Sequence, residues 1–243
     1  MLMTLRGEDP RHMAGLAQVS ESPDLAGEIM GFHLTGFCSN HCNFLHQFAE
    51  SMGNAVDVRD AVTYNHSLQV AEVASLLARA LGLPPTQVEA IHIAAHLHDI
   101  GKIGIPDSVL KKEGPLDKDD WLWIRKHPET GARITGPVQA FNGVGGITEV
   151  ILCHHERYDG GGYPCGLRGN SIPKGARIIA VADTLSALLQ DRPYRKGTGF
   201  EEAMEEIICC SWSQFDPEVV RALKKNQKMV EDYFRQRQFN DAV

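Results

Sequence analysis

Apolar residues recur at helical spacing along most of the chain from Asp57 onward. The first clear stripe has five members at intervals of three or four residues: His66, Val70, Val73, Leu77 and Leu81. This spacing places their side chains on one face of an α-helix, which Gly82 and the following prolines end. Because a histidine begins the stripe, we predict that the imidazole of His66 points toward the core.

The next predicted helix repeats this pattern and ends in polar residues. Its stripe is Val88, Ile91, Ala95 and His98, with Thr86 as the predicted N-cap and Gly101 as the end of the helix. Asp99 lies about 100° further round the helix than His98. A buried carboxylate without a partner is costly, and a divalent cation removes that cost. The segment 94–102 is therefore predicted to be the centre of a metal site, to which Lys102 reaches back.

Later helices end in similar residues. Asp117 and Asp120 form a predicted capping pair for a helix that leads to His127, and Pro128 opens the helix after it. Further apolar stripes lead to His154, with His155 beside it, and to Asp183; Asp216-Pro217 begins the last helix. Taken alone, His127 is typical of a surface or capping residue, and the glycines 160–162 are typical of a tight turn.

Composition narrows the class of protein. A chain of 243 residues with 43% hydrophobic content can bury one large core, with room for a small appendage. The net charge of -7 argues against a nucleic-acid duplex or an anionic membrane as the main partner. Six cysteines without a basic-then-apolar leader over 1–10 predict reduced thiols and a cytoplasmic protein, and no membrane span is predicted.

Candidate metal ligands recur on successive predicted helices. They are His66, His98, Asp99, His127, His154, His155 and Asp183. Five imidazoles and two carboxylates exceed the needs of one ion. Two divalent ions bridged by Asp99 and a water would use all seven, and two-metal sites favour in-line attack on phosphate esters. Lys102 and Arg192 would then hold non-bridging phosphate oxygens.

These residues resemble the HD-GYP phosphodiesterases. The resemblance covers about 57–234 and includes, in the family's order, His66-Ser67, His98-Asp99 with Gly101-Lys102, His127-Pro128, His154-His155-Glu156-Arg157, Gly162-Tyr163-Pro164, Asp183 and Arg192-Pro193-Tyr194-Arg195. It implies an all-α fold, an HD-superfamily helical bundle, with two divalent ions, iron first and manganese second. It also implies hydrolysis of cyclic di-GMP to linear pGpG, and more slowly to GMP, by attack of a metal-bridging water.

Carried over residue by residue, the resemblance makes the seven candidate ligands the metal ligands, with Asp99 bridging. Asp99 and Lys102 are then catalytic, Lys102 also contacts phosphate, and Gly162, Tyr163, Pro164 and Arg192 shape the substrate pocket. Residues 57–243 would form the phosphodiesterase domain. Residues 1–56 would form a short N-terminal helical segment of unknown role, and a homodimer or a signalling-protein partner through it stays open.

Three positions depart from the family's pattern. Val62 stands where members with three metals have glutamate, so two ions are expected here. Gln69 replaces a common arginine, and Ser186 replaces a second aspartate found in many members. The serine at position 186 is expected to change how a metal ligand is oriented.

Three matters stay open at this stage. The mixed cyclic GMP-AMP dinucleotide is an alternative substrate. Two other classes of protein are a cyclic-dinucleotide-binding module with little turnover and an HD phosphohydrolase acting on another nucleotide, which would not need the Gly162-Tyr163-Pro164 loop. Finally, Cys38, Cys42 and His46 are spaced four apart. We interpret them as ordinary packing and surface residues, because a paired Cys-x-x-Cys spacing is missing.

Overall fold

The computed structural model describes residues 44–60, 65–191 and 196–240, with side chains up to residue 236. Within these ranges the secondary structure is helical, without a β-strand, which confirms the all-α prediction. The α-helices are α1 (44–60), α2 (His66–Ala80), α3 (Pro85–Leu97), α4 (Asp107–Leu110), α5 (Lys118–Ile124), α6 (His127–Thr135), α7 (Ile147–Cys153), α8 (Lys174–Leu189), α9 (Phe200–Cys209), α10 (Pro217–Lys225) and α11 (Gln227–Asn240). The proposed domain boundary between residues 56 and 57 falls within α1, and the division into domains stays a prediction.

Helix α2 lies at the centre of the bundle, packed against α3 and α8. Its predicted stripe from His66 to Leu77 is buried, and Ala71, Ala74 and Ala78 are also fully buried. Small alanine side chains let neighbouring helices approach α2 on more than one side, so the helix is buried more completely than a single stripe predicts. The core consists mainly of aliphatic residues from α2, α3, α7 and α8.

Helix α3 carries its predicted stripe inward, but both of its predicted ends are wrong. It begins at Pro85, with Pro84 as N-cap, because a proline at the first helical position needs no hydrogen-bond partner and already has a helical φ. Thr86 is therefore inside the helix. At the other end, α3 stops at Leu97, and Gly101 lies in a 3₁₀ turn, Ile100–Gly104.

Gly101 has a packing role rather than a helix-ending one. A Cβ atom at this position would overlap the carbonyl oxygen of His127 and lie 2.6 Å from the backbone nitrogen of Gly131. Helix α6 therefore packs directly on the backbone of the turn that follows His98 and Asp99. This contact brings His127, at the start of α6, next to Asp99.

Capping interactions fix several helix starts. Asp117 and Asp120 form the predicted capping box of α5, and Asp216 caps α10 ahead of Pro217 as predicted. The prediction that α10 is the last helix is wrong, because α11 follows it. The carboxylate of Asp57, on α1, accepts hydrogen bonds from the backbone N–H and the hydroxyl of Ser67, both at 2.9 Å. Through this contact α1 holds the first turn of α2, where His66 is located. In the ranges that the structure describes, every helix is too short or too polar to cross a membrane.

Candidate metal centre

Five helices bring the seven candidate ligands together in the middle of the bundle. His66 begins α2, His98 and Asp99 follow α3, His127 begins α6, His154 and His155 follow α7, and Asp183 lies within α8. His66, His98, His127 and His154 are each at most 5% exposed. His127, taken alone, is typical of a surface or capping residue, and that interpretation is wrong because its side chain is buried. The side chains form two groups, with Asp99 between them.

The first group is His66, His98 and Asp183. One ligand atom from each lies within 4.8 Å of the other two. Nε2 of His66 is 3.1 Å from Oδ1 of Asp183, and Nε2 of His98 is 3.9 Å from the same oxygen. Two imidazole nitrogens and one carboxylate oxygen converge on one point, as in protein sites for first-row transition metals.

The second group is His127, His154 and His155, which also offer one ligand atom each within 4.8 Å. Nε2 of His127 lies 3.1 Å from Nε2 of His154, and the rings of His154 and His155 have centroids 4.2 Å apart. Burial and the neighbouring imidazoles hold the pKa of His154 well below its usual range, and they lower that of His155 to about 3. Both rings are therefore neutral at pH 7, as metal ligation requires.

Asp99 connects the two groups. Its Oδ2 lies 3.3 Å from Nε2 of His98, in the first group, and its Oδ1 lies 3.3 Å from Nε2 of His127, in the second. Burial alone would raise the pKa of Asp99, but Lys102 and His98 outweigh it and hold the pKa well below its usual range. Asp99 is therefore an ionised carboxylate with one oxygen toward each group.

Backbone carbonyl groups orient three of the imidazoles in the same way. Nδ1 of His98 contacts the carbonyl oxygen of Ala95 at 2.6 Å, and the same contact joins His127 to Ile124 and His154 to Ile151, at 2.7 and 2.6 Å. A carbonyl oxygen can only accept, so each Nδ1 carries a proton, and in the neutral rings of His127 and His154 each Nε2 has a free lone pair. Burial lowers the pKa of His98, but Asp99 and Asp183 outweigh it and raise the pKa to about 9, so a metal ion at Nε2 of His98 would replace a proton. A hydrogen bond of this kind on the second ring nitrogen is typical of metal-ligating histidines.

The resulting lone pairs fit a bound cation. The Nε2 atoms of His127 and His154 face each other at 3.1 Å, and neither carries a proton in the tautomer that the carbonyl groups impose. Nε2 of His98 makes no hydrogen bond within the described part of the chain. Buried acceptors that face one another without a donor are costly, and a metal ion would satisfy them. The donor set therefore suits divalent ions of the iron, manganese or zinc type.

The two departures at Gln69 and Ser186 form one hydrogen-bonded chain. The Ser186 hydroxyl donates to Oε1 of Gln69 at 2.9 Å, so its oxygen accepts the Nδ1 proton of His66 at 3.0 Å. Gln190 also donates to Oε1 of Gln69, at 2.7 Å. Gln69 and Ser186 are buried on α2 and α8, Gln190 follows α8, and this chain fixes His66 with Nε2 toward Asp183. A neutral glutamine and serine thus orient this ligand.

Lys102 lies at the edge of the centre and reaches back to Asp99, with Nζ 2.8 Å from Oδ2, as predicted. Its second partner, Asp60 at 2.6 Å, was not predicted, because Asp60 is on α1 and 42 positions earlier in the chain. The two carboxylates outweigh the effect of burial and raise the pKa of Lys102 above its usual range. The side chain is 21% exposed, so a charged lysine lies between the centre and the surface, beside Asp99.

The Gly162-Tyr163-Pro164 loop covers the second group. The ring of Tyr163 stacks on that of His155, with centroids 4.9 Å apart and planes at 27°. The backbone N–H of Tyr163 also donates to the carbonyl oxygen of His155 at 3.2 Å. A Cβ atom on Gly162 would lie 2.6 Å from the Cα of Glu156, so a larger residue would push the loop away from the site. The exposed guanidinium group of Arg125 lies 5.3 Å from the centre of the Tyr163 ring. No sequence motif pointed to Arg125.

The predicted site residues that the structure describes thus meet in one place. Arg192 is outside the described residues, as are Val62, Cys38 and Cys42. The centre contains the remaining predicted residues, and the roles assigned to them stay predictions. Asp60 and Arg125 are additions that the sequence did not reveal, and a long sequence separation from Lys102 and Tyr163 explains why.

Comparisons with known proteins identify the family of the chain. Residues 50–219 match the sequence profile of the HD domain family. The cyclic di-GMP phosphodiesterase response regulator RpfG of Xanthomonas campestris pv. campestris is 41% identical over 74% of this chain and 47% of its own length. A cyclic di-GMP phosphodiesterase of Thermotoga maritima is 36% identical over 84% of this chain and 55% of its own. The 3′3′-cGAMP-specific phosphodiesterase 1 of Vibrio cholerae is 38% identical over 73% and 41%.

The chain spans about half the length of the curated relatives it matches. Solved structures share its fold. A cyclic GMP-AMP-specific phosphodiesterase of Vibrio cholerae, V-cGAP3, aligns with a TM-score of 0.60 at 18% identity, over 76% of this chain and 49% of its own. The HD-GYP-type protein Bd1817 of Bdellovibrio bacteriovorus aligns with a TM-score of 0.58 at 20% identity, over 77% and 63%. From the profile match and the ligand motifs together, the chain belongs to the HD domain family, within its HD-GYP group.

Proposed function

We propose that the chain is a metal-dependent phosphodiesterase that hydrolyses cyclic di-GMP, with the mixed cyclic GMP-AMP dinucleotide as the alternative substrate. The observation that carries the proposal is the position of Asp99, whose two oxygens face two separate ligand groups, each at 3.3 Å from a histidine. A carboxylate between two such groups suits a pair of divalent ions. The relatives named for cyclic di-GMP and 3′3′-cGAMP supply the substrate class.

His66, His98 and Asp183 would hold one ion, and His127, His154 and His155 the other, with Asp99 shared between them. Iron is our first choice and manganese the second. When bound, such a pair supplies Lewis acidity toward a phosphodiester oxygen and lowers the pKa of water, so that water can lose a proton and attack at neutral pH. The backbone carbonyls of Ala95, Ile124 and Ile151 hold the Nδ1 protons of three ligands, so these rings would present Nε2 to the ions.

Lys102 supplies the positive charge for the substrate. Its ammonium group, held between Asp60 and Asp99, lies beside the shared carboxylate, where a non-bridging phosphate oxygen would be stabilised as negative charge develops. The Gly162-Tyr163-Pro164 loop would shape the substrate pocket. There, the Tyr163 ring shields His155 from water, and the exposed Arg125 offers a further cation for the dinucleotide; Arg192 would contribute another.

The expected products are linear pGpG first and GMP more slowly. Valine at position 62 cannot supply the carboxylate that a third ion would need. With two ions, one phosphodiester is activated, while the terminal phosphate of the linear product has less to hold it for a second cut. We also propose a cytoplasmic location, with which the free thiols of Cys153, Cys165, Cys209 and Cys210 are compatible.

A turnover assay tests the proposal. The protein is loaded with Fe²⁺ without oxygen, or with Mn²⁺, and incubated with cyclic di-GMP, 3′3′-cGAMP and simple mononucleotides, and the products are separated by chromatography. We expect linear dinucleotide to accumulate before mononucleotide. Binding of a cyclic dinucleotide without turnover would indicate a binding module instead. Hydrolysis of mononucleotides alone would indicate a different HD phosphohydrolase.

A further inference from the structure

A second group of histidines lies outside the candidate metal centre. His46 on α1 and His92 and His96 on α3 offer one ring nitrogen each within 4.8 Å of the other two. We propose that this outer histidine cluster binds one divalent zinc-type ion that joins α1 to α3. None of its three residues belongs to the seven candidate ligands described above, and the proposal does not depend on the hydrolytic activity.

The pair on α3 has the spacing and the separation of metal ligands. His92 and His96 are one helical turn apart, on the same face, as in the helical His-x-x-x-His pairs of zinc sites. Their Nε2 atoms are 3.2 Å apart. Two nitrogens that each lie about 2.1 Å from a tetrahedral zinc ion are roughly 3.4 Å apart. The two rings therefore already have almost the separation that one shared ion would impose.

Close helix packing sets the position of the third ring. The imidazole of His46 stacks on that of His92, with centroids 4.7 Å apart and planes at 8°, and lies 5.6 Å from that of His96. Two turns further along α1, a Cβ atom on Gly53 would lie 2.5 Å from the carbonyl oxygen of His96. Glycine at this place lets the two helix backbones touch. The distance from His46 to the α3 pair is thus fixed by the fold.

His92 is held in the tautomer that a metal needs. Its Nδ1 lies 3.2 Å from the carbonyl oxygen of Ala71 and 2.8 Å from the hydroxyl of Ser75. A proton on Nδ1 satisfies both contacts, since the carbonyl and the hydroxyl oxygen can each accept it, and this tautomer leaves the Nε2 lone pair toward His96. Burial also lowers the pKa of His92, which favours the neutral ring. This is the same arrangement that orients His98, His127 and His154 in the centre.

The ring of His96 presents its Nε2 to the ring of His92. The His96 side chain is only 1% exposed, and its Nε2 faces Nε2 of His92 at 3.2 Å. Buried ring nitrogens are nearly always paired, and one ion between the two rings would bind a lone pair from each. A cation that binds imidazole suits this place, and zinc is a common one.

The open side of the cluster provides access and a fourth ligand. Glu50 lies one turn after His46, with Oε2 3.9 Å from Nε2 of His46, and both side chains are more than one third exposed. Three imidazoles with a carboxylate or a water complete the tetrahedral set that zinc prefers. Since α3 continues directly to His98 and Asp99, an ion here would fix the helix that carries two of the central ligands.

Zinc counting on the full chain tests the proposal. Metal is removed with a chelator, the protein is dialysed against Zn²⁺, and bound zinc is measured by mass spectrometry for the unmodified chain, His92→Gln, His46→Gln and the exposed control Gln47→Ala. We expect the two histidine variants to hold one ion fewer per chain than the unmodified chain and the control. With Co²⁺ in place of zinc, the same two variants should lose part of the visible absorption typical of tetrahedral cobalt.

A double variant separates the two metal regions. Combining Asp99→Ala with His92→Gln should remove one ion more than Asp99→Ala alone. If His92→Gln does not fold, because Ser75 and Ala71 lose their partner, the half-exposed His46→Gln carries the test. Equal zinc counts and equal cobalt spectra for the unmodified chain and His46→Gln would overturn the proposal. A chain that keeps this ion but hydrolyses no cyclic dinucleotide would overturn the proposed function and leave the outer site standing.

Discussion

The central site and the outer histidine cluster share helix α3 but differ in charge. The centre combines five imidazoles with two ionised carboxylates, whereas the three ligand atoms of the outer cluster are all imidazole nitrogens. Both regions orient a ring through a backbone carbonyl, as at His98 and His92, and both contain a stacked ring, Tyr163 on His155 and His46 on His92. The means of orienting a ligand are therefore the same in both.

The carboxylates distinguish a centre suited to catalysis from a cluster suited to a structural ion. Two cations a few ångströms apart repel each other, and a shared carboxylate reduces that cost, so Asp99 is needed where two ions act together. A single ion among neutral imidazoles needs no such bridge and holds helices in place. The ammonium group of Lys102 also lies beside the centre. Each of the following changes tests one part of this contrast.

The largest effect is expected for Asp99→Ala. Without the shared carboxylate, the two ligand groups would hold like charges with nothing between them, so metal content should fall and turnover should drop about a thousandfold or more, roughly 4 kcal/mol of barrier. Turnover and metal per chain are measured together. Asp119→Ala, an exposed carboxylate at the start of α5, serves as the control. Near-normal activity with full metal occupancy would remove Asp99 from its bridging role.

Lys102→Ala should leave the metal content intact and reduce kcat about a hundredfold, since one stabilising charge for the phosphate is lost.

Asp60→Asn should reduce kcat less than Lys102→Ala does, roughly fivefold, because Lys102 keeps its second partner, Asp99, at 2.8 Å. Steady-state kinetics and metal analysis on both variants distinguish the roles. Loss of metal in Lys102→Ala would show that the lysine stabilises the centre itself rather than the substrate.

Ser186→Ala should weaken metal binding in the group that contains His66. The Nδ1 proton of His66 would lose its acceptor, and loss of such a partner commonly costs about ten- to a hundredfold in metal affinity. Activity should recover when the metal concentration is raised, which a merely structural defect would not allow. Ser51→Ala, on the exposed face of α1, is the matched control. Equal metal affinity in the two variants would rule out a positioning role for Ser186.

The smallest effect is expected for Arg125→Ala. Its guanidinium group lies at the exposed rim, 5.3 Å from the centre of the Tyr163 ring, and exposed cation–π contacts contribute only about 0.5–1 kcal/mol. We expect KM for cyclic di-GMP to rise two- to fivefold with kcat nearly constant. Arg133→Ala, also exposed but on the later part of α6, is the control. A fall in kcat at unchanged KM would place Arg125 in the chemical step instead.

Much of the centre could be predicted because it follows helical periodicity. His66, His98 and His154 end or begin apolar stripes, so a pattern within one helix already directs them inward. Asp183 is less buried, but it lies on the same side of α8 as Ser186. Once several helices carry inward-facing ligands of one chemical kind, a common core is enough to bring them together.

The sequence could not show contacts between side chains far apart in the chain. Gln69 and Ser186 each read as a departure from a pattern, yet they are hydrogen-bonded to each other across 117 positions. His92 and His96 show the one-turn spacing of a ligand pair, but their partner His46 lies on another helix and was grouped with Cys38 and Cys42 instead. Local helix rules predict that Gly101 ends a helix. The structure shows instead that glycine is required there because the backbone of His127 packs against it.

The contact at Gly101 has a consequence for how this centre can change. It is a contact of backbone with backbone, so the distance between the turn after α3 and the start of α6 is a fixed spacer rather than an adjustable one. Exchanging ligand side chains can alter which ion binds, but it cannot move His127 nearer to or farther from Asp99. A single added methyl group, in Gly101→Ala, would force the turn after α3 and the start of α6 apart. Selection or design for a different metal can therefore change the donor atoms but not the spacing between the turn after α3 and the start of α6.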